Sequence, residues 1–322
     1  KLFNFSRIFF FIFIILFIDS LYQFYFEKNL IGLELSHPHR VSSFFGSEWI
    51  MGSFISKIFP INLIFISLLN VNKKLKFCLY TIVVVFSLIL IFLSGERTSL
   101  GMFLFQLIFI FFFIKYNFYK KLILILICLS IIVTIIISIK NQDITSYNRV
   151  ETKIFNTLQR FEHGIKNFII FENENILIIP SHKGHYQTAI NIFEHNKIFG
   201  GGIKSFRHYC KDKKYNFDEG SCSTHPHNVL LLFMSELGLI GFLIYISFLF
   251  FLLFDILRKF LKKDSNLINY NNYNRFVIIT AGLVSTVLPF LPNGNFFNNY
   301  MSILFYLLMG YYLFFRKEVY KN

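Results

Sequence analysis

Apolar residues in this chain come in unbroken blocks, without the three-to-four spacing of a helix that lies on a protein surface. Several blocks hold about 17 to 20 apolar residues with almost no charge, the length that crosses the hydrocarbon core of a bilayer. They predict eight spans, at 8–26, 49–69, 77–94, 98–114, 121–139, 227–254, 276–291 and 298–315. Lipid offers no hydrogen bonds, so each span must satisfy its own backbone, and an all-α, polytopic transmembrane helix bundle follows. Polar positions gather in one long stretch. The expected organisation is 1–139 as transmembrane helices one to five, 140–226 as a large loop with short helices, and 227–322 as helices six to eight with a cytoplasmic tail. Within the loop, 147–171 has loose helical spacing, and 185–195 reads as a short helix ending before Gly200-Gly201-Gly202.

The basic residues orient this plan. Lys1 and Arg7 precede the first span, while Lys73, Lys74 and Lys76 follow the second. Lys115, Lys120 and Lys121 follow the fourth, and Arg258, Lys259, Lys262, Lys263 and Arg275 follow the sixth. Arg316, Lys317 and Lys321 follow the last. With eight spans all five groups share one side, which the positive-inside rule makes cytoplasmic. The long loop then lies on the other, extracytoplasmic side. The net charge of +14 is accounted for by this placement and does not imply a nucleic-acid partner.

Composition agrees but argues more softly. The mean hydropathy of +0.55 is too high for a soluble domain. The 46 phenylalanines partly reflect an AT-rich coding bias, so run length is the firmer evidence. The first residue is Lys1 and no signal-peptide pattern follows, so the expectation is an N-terminally incomplete chain. Cys78 and Cys128 sit in apolar spans as packing residues. Cys210 and Cys222 lie in the loop, where an oxidising compartment would join them in a structural disulfide.

Three polar features converge on the outer face. Thr224-His225-Pro226-His227-Asn228 directly precedes the sixth span. Pro226 suits a helix start, so His227 is expected in the first helical turn. There the helix dipole would keep its imidazole neutral and fit it for general base work, unless it merely rests at the interface. On a continuous helix, Gly238 and Gly241 would lie under His227, and Glu236 on the opposite face with a basic partner. The second feature is the turn Ser94-Gly95-Glu96-Arg97-Thr98-Ser99. Arg97 reads either as a phosphate clamp or as a local partner of Glu96. The third is 182–207, with His185, the glycine run and Arg207, which reads as an anion cradle or a simple turn. Cys222, His225 and His227 lack a fourth ligand and match no standard zinc pattern, so no metal site is expected.

Taken together these residues resemble the O-antigen ligase family of bacterial envelope enzymes, which shares a superfamily with O-antigen polymerases. The family signature is His, then Asn, Ser or Gln, nine residues, and Gly-x-x-Gly. It reads here as His227-Asn228, Val229 to Leu237, and Gly238-Leu239-Ile240-Gly241. The Arg97 turn, the stretch from Ala189 to Arg207 and Asn293-Gly294-Asn295-Phe296-Phe297 are also similar to family segments. The resemblance implies an inverting glycosyltransferase with no metal and no cofactor. The donor would be a glycan on undecaprenyl pyrophosphate and the acceptor a lipid A–core hydroxyl. His227 would be the base and Arg97 the first phosphate contact. Asn228 and one or more of His185, Arg149, Arg160 and Arg207 would complete substrate binding. The alternatives are a polymerase on the same lipid carrier and, from a different class, a transporter. Few charged residues interrupt the spans (Asp19, Lys57 and Glu236), which disfavours the transporter.

Overall fold

The structure, a computed structural model, describes residues 2–38, 40–115, 154–159, 182–218, 220–258, 270–289 and 291–320 of the 322. The expected span 121–139, Cys128, Arg149 and Arg160 lie outside these residues, as does the expected helical stretch 147–171 except for 154–159, which is helical. Among the described residues the chain is helical, with two isolated bridges and no strand. The other seven expected spans coincide with helices. Four of these, Leu2–Phe26, Met51–Leu68, Lys73–Ser94 and Val229–Ile256, are long and apolar enough to cross a membrane. Arg97–Phe113 is apolar but shorter. The chain divides into two compact units.

The first unit comprises Lys1–Lys166, Ile268–Gly282 and Tyr311–Asn322. It contains α1 (Leu2–Phe26), α2 (Met51–Leu68), α3 (Lys73–Ser94) and α4 (Arg97–Phe113). Helix α2 packs against the other three and is the most enclosed. Its Pro60 cannot donate a backbone hydrogen bond, which leaves the Ser56 carbonyl without its helical partner. The Gln106 side chain of α4 supplies the missing donor, with Nε2 2.9 Å from Ser56 O. At its start α2 has no side-chain cap of its own. Glu96, from the α3–α4 turn, accepts the Gly52 and Ser53 N–H groups at 2.7 and 3.1 Å, where the helix dipole favours a carboxylate.

The second unit comprises Asn167–Leu267 and Leu283–Gly310. It includes α5 (Lys183–His195), α6 (Phe206–Tyr209) and α7 (Val229–Ile256), with parts of α8 (Tyr270–Val287) and α9 (Asn299–Tyr320). Ala189, Ile192, Phe206, Cys210 and Tyr215 form a small apolar core. A disulfide joins Cys210 to Cys222, with Cα atoms 5.0 Å apart.

Helix α7 is not continuous, which corrects the helical-wheel reading. Gly238 interrupts it with φ 65° and ψ −154°, a conformation open essentially to glycine alone. The break lets segment 197–202 pair with α7 through the backbone. Gly201 N donates to Ser235 O at 2.9 Å, Gly202 N to Glu236 O at 2.9 Å, and Leu239 N to Lys197 O at 2.7 Å. A Cβ on Gly238 would lie 2.4 Å from Ile198 O. The kink also compresses the next turn, so a Cβ on Gly241 would lie 2.3 Å from the Leu237 Cβ. The two glycines therefore seat a loop inside a helix and form no smooth stripe beneath His227. Gly238→Ala is expected to cost at least about 1–3 kcal/mol from backbone strain, read as a lower unfolding midpoint in detergent. Gly310→Ala in α9, with no atom within 4 Å of the added Cβ, is the control and should lose nothing. Equal behaviour of the two would rule out this account of the break.

Candidate active site

The α7 N-terminus also differs from the sequence expectation. Its cap is Asn228, whose side chain accepts the Leu231 N–H at 3.1 Å, so the helix begins at Val229. Asn228 Nδ2 donates to Pro289 O at 2.8 Å, and its side chain hydrogen-bonds the buried Tyr186 hydroxyl. Burial pushes Tyr186 up to about 12, with the Asn228 bond pulling the other way. The fold thus employs Asn228 heavily in holding the loop.

His227 stands outside the helix, in the left-handed region at φ 56°. Such a backbone costs a non-glycine residue roughly 1–3 kcal/mol and persists only when its surroundings impose it. Here Asn293 imposes it. Its N–H donates to His227 O at 2.9 Å, and its carbonyl accepts His225 Nε2–H at 3.1 Å. Asn293 Nδ2 is in turn held by Thr286 O at 2.7 Å.

Four imidazoles gather at this loop. The His227 ring centroid lies 4.2 Å from that of His225, 4.7 Å from His182 and 5.2 Å from His185. His225 is fully engaged, since with Nε2 donating to Asn293 its Nδ1 accepts the Thr224 hydroxyl at 2.8 Å. His185 Nδ1 donates to Ser221 O at 2.9 Å. The His227 ring makes no hydrogen bond among the described residues. Burial lowers His227 from 6.5 to about 3, and His225, His182 and His185 act in the same direction. Burial lowers His225 to about 4, opposed by the Asn293 bond and reinforced by His185, His182 and Arg207. The neutrality expected of His227 thus has a different cause from the helix dipole.

This cluster ties stability to pH. Below 6.5 the unfolded chain protonates His225 and His227 while the folded chain refuses the protons. Their contribution is complete above 6.5 and is lost as the pH falls toward 4 and 3. The slope reaches about 1.4 kcal/mol per pH unit for each histidine. The apparent Tm in detergent should therefore drop between pH 7.5 and pH 5.0, and less so in His225→Gln. A Tm that rises on acidification would contradict this burial.

The remaining candidates fall as follows. Arg207, on α6, has a buried Nε with no hydrogen-bond partner among the described residues, and its charge acts on His225 and Glu236. Glu236 is fully buried, and its carboxylate accepts the Lys204 and Phe206 N–H groups at 2.6 and 3.4 Å. Its direct hydrogen-bond partners are thus backbone groups of the loop, with the Arg207 and Lys204 side chains acting on it through charge. Cys222 is consumed by the disulfide, so Cys222, His225 and His227 hold no metal together. In the first unit, Arg97 is exposed and makes no hydrogen bond or ion pair among the described residues. Glu96 does not pair with it but bonds Gly52, Ser53 and Ser99 and lies near Arg40 and Lys57. Sequence reasoning gave no role to His182, Asn293 or Arg40. The three-residue spacing of His182 and His185 was the available signal for the first.

A family profile described as O-antigen ligase matches residues 82–246, just over half of the chain. No curated protein matches it. The matched stretch runs from α3 into α7 and takes in Arg97, the histidine cluster, Arg207, Gly238 and Gly241. The helical architecture and the apolar helices agree with a membrane protein of this kind, and the chain belongs to the O-antigen ligase family.

Proposed function

We propose that the chain moves a glycan from undecaprenyl pyrophosphate to a lipid A–core hydroxyl on the periplasmic face of the inner membrane, with inversion and without a metal. The observation that supports this best is a neutral His227 whose ring makes no hydrogen bond among the described residues and lies beside three other imidazoles. In the reaction His227 takes the acceptor proton, the acceptor oxygen bonds to the anomeric carbon, and the bond from that carbon to the pyrophosphate oxygen breaks. The lipid pyrophosphate departs with the bonding electrons. Arg97 and Arg207 would stabilise the charge that develops on it. His227 is a weak base while only imidazoles surround it. An arriving pyrophosphate adds negative charge that raises its proton affinity, so the donor itself prepares the base.

The test is transfer by the purified full chain from a lipid pyrophosphate donor to a lipid A–core acceptor in EDTA. Whole-chain transfer is expected. Loss of activity in EDTA, restored by magnesium or manganese, would overturn the metal-free mechanism. A ladder of lengthening glycans still on undecaprenyl pyrophosphate would make the enzyme a polymerase.

A further inference from the structure

We infer that His182, His185 and His227 form a three-imidazole site for a divalent cation of the zinc type. Each offers one ring nitrogen, and the three nitrogens all lie within 4.8 Å of one another. Zinc–nitrogen bonds of about 2.0–2.1 Å in a tetrahedral shell put ligand nitrogens roughly 3.4 Å apart. The rings need draw together by only about 1.4 Å at most to close on such an ion. Two observations make this more than proximity. His185 donates its Nδ1–H to Ser221 O, which fixes the tautomer and leaves the Nε2 lone pair for a ligand. That backbone-anchored arrangement is how metal-binding histidines are ordinarily oriented. The His227 ring has no hydrogen bond among the described residues, and the groups acting on it are the other imidazoles. His225 is excluded, because both its nitrogens are occupied.

The donor set selects the metal. Three neutral imidazoles suit zinc, cobalt, nickel or copper, whereas magnesium and calcium require oxygen. Three protein ligands leave a fourth position open to solvent or an acceptor oxygen. The ion would occupy the lone pair that His227 needs as a base. Resting on the function proposed above, the ion is therefore an inhibitor of transfer, which EDTA relieves.

The experiment uses the full chain in detergent without a polyhistidine tag, stripped with EDTA and titrated with cobalt(II). One cobalt per chain is expected, with the intense visible absorption of a tetrahedral nitrogen site, displaced by zinc. His182→Gln and His185→Gln should each weaken cobalt binding by about tenfold or more. No cobalt spectrum from the native chain would overturn the site, as would undiminished binding in both variants. The native titration decides the matter even where a variant fails to fold. Zinc should also reversibly block glycan transfer. Because cobalt binding needs no turnover, an inactive chain that binds cobalt would count against the glycosyltransferase reading and leave the site standing.

Discussion

His227→Asn and His227→Ala should each lower glycan transfer by about 10²- to 10⁴-fold, the range contributed by a positioned general base. The asparagine variant is the more informative. Position 227 has φ 56°, a conformation that asparagine tolerates better than alanine. A loss confined to alanine would therefore report backbone strain, whereas equal loss in both reports the missing imidazole. The Asn293 N–H bond to the residue 227 carbonyl involves only backbone at that position and survives either change. The apparent Tm of His227→Asn should thus stay near that of the native chain, and deletion of a buried imidazole should flatten its fall on acidification. Wild-type transfer by a well-folded His227→Asn protein would remove this residue from the chemistry.

The features that sequence disclosed were those carried by local pattern. Apolar runs with almost no charge marked α1, α2, α3, α4 and α7, because membrane helices must be predominantly apolar. The spacing from His227 to Gly238 was also visible, since a signature is a local string. Its meaning was not. A helical wheel assumes a continuous helix, whereas α7 breaks at Gly238, where segment 197–202, some forty residues earlier, pairs with it. Glu96 misled in a similar way. Adjacency suggested Arg97 as its partner, yet its carboxylate reaches back to the amides of Gly52 and Ser53. The Asn293 clamp on the His225–His227 loop joins positions more than sixty residues apart, and no periodicity encodes such a bond. Intramembrane charges were too few to favour a transporter, but their own roles were not legible. Asp19 accepts the Leu30 N–H, Lys57 donates to Ser53, and Glu236 holds residues 204–206, so each closes local structure.

Arg97 carries the other large effect. Its exposed guanidinium makes no hydrogen bond or ion pair among the described residues. It opens α4, and the Glu96 side chain forms no cap bond to the first-turn amides there. A planar fork beside such amides suits the oxygens of a pyrophosphate, and an ammonium offers only a point charge. Arg97→Ala should lower kcat for transfer by about 10²- to 10³-fold, comparable to losing a principal donor to a developing oxyanion. Arg97→Lys should also be severely impaired, and neither variant should shift the unfolding midpoint, because no hydrogen bond or ion pair among the described residues is lost. That combination separates a substrate contact from a structural arginine, whose removal would lower stability and activity together. Full activity in Arg97→Lys would reduce the requirement to a point charge. Full activity in Arg97→Ala would leave Arg207, whose buried Nε has no hydrogen-bond partner among the described residues, as the pyrophosphate contact to test next.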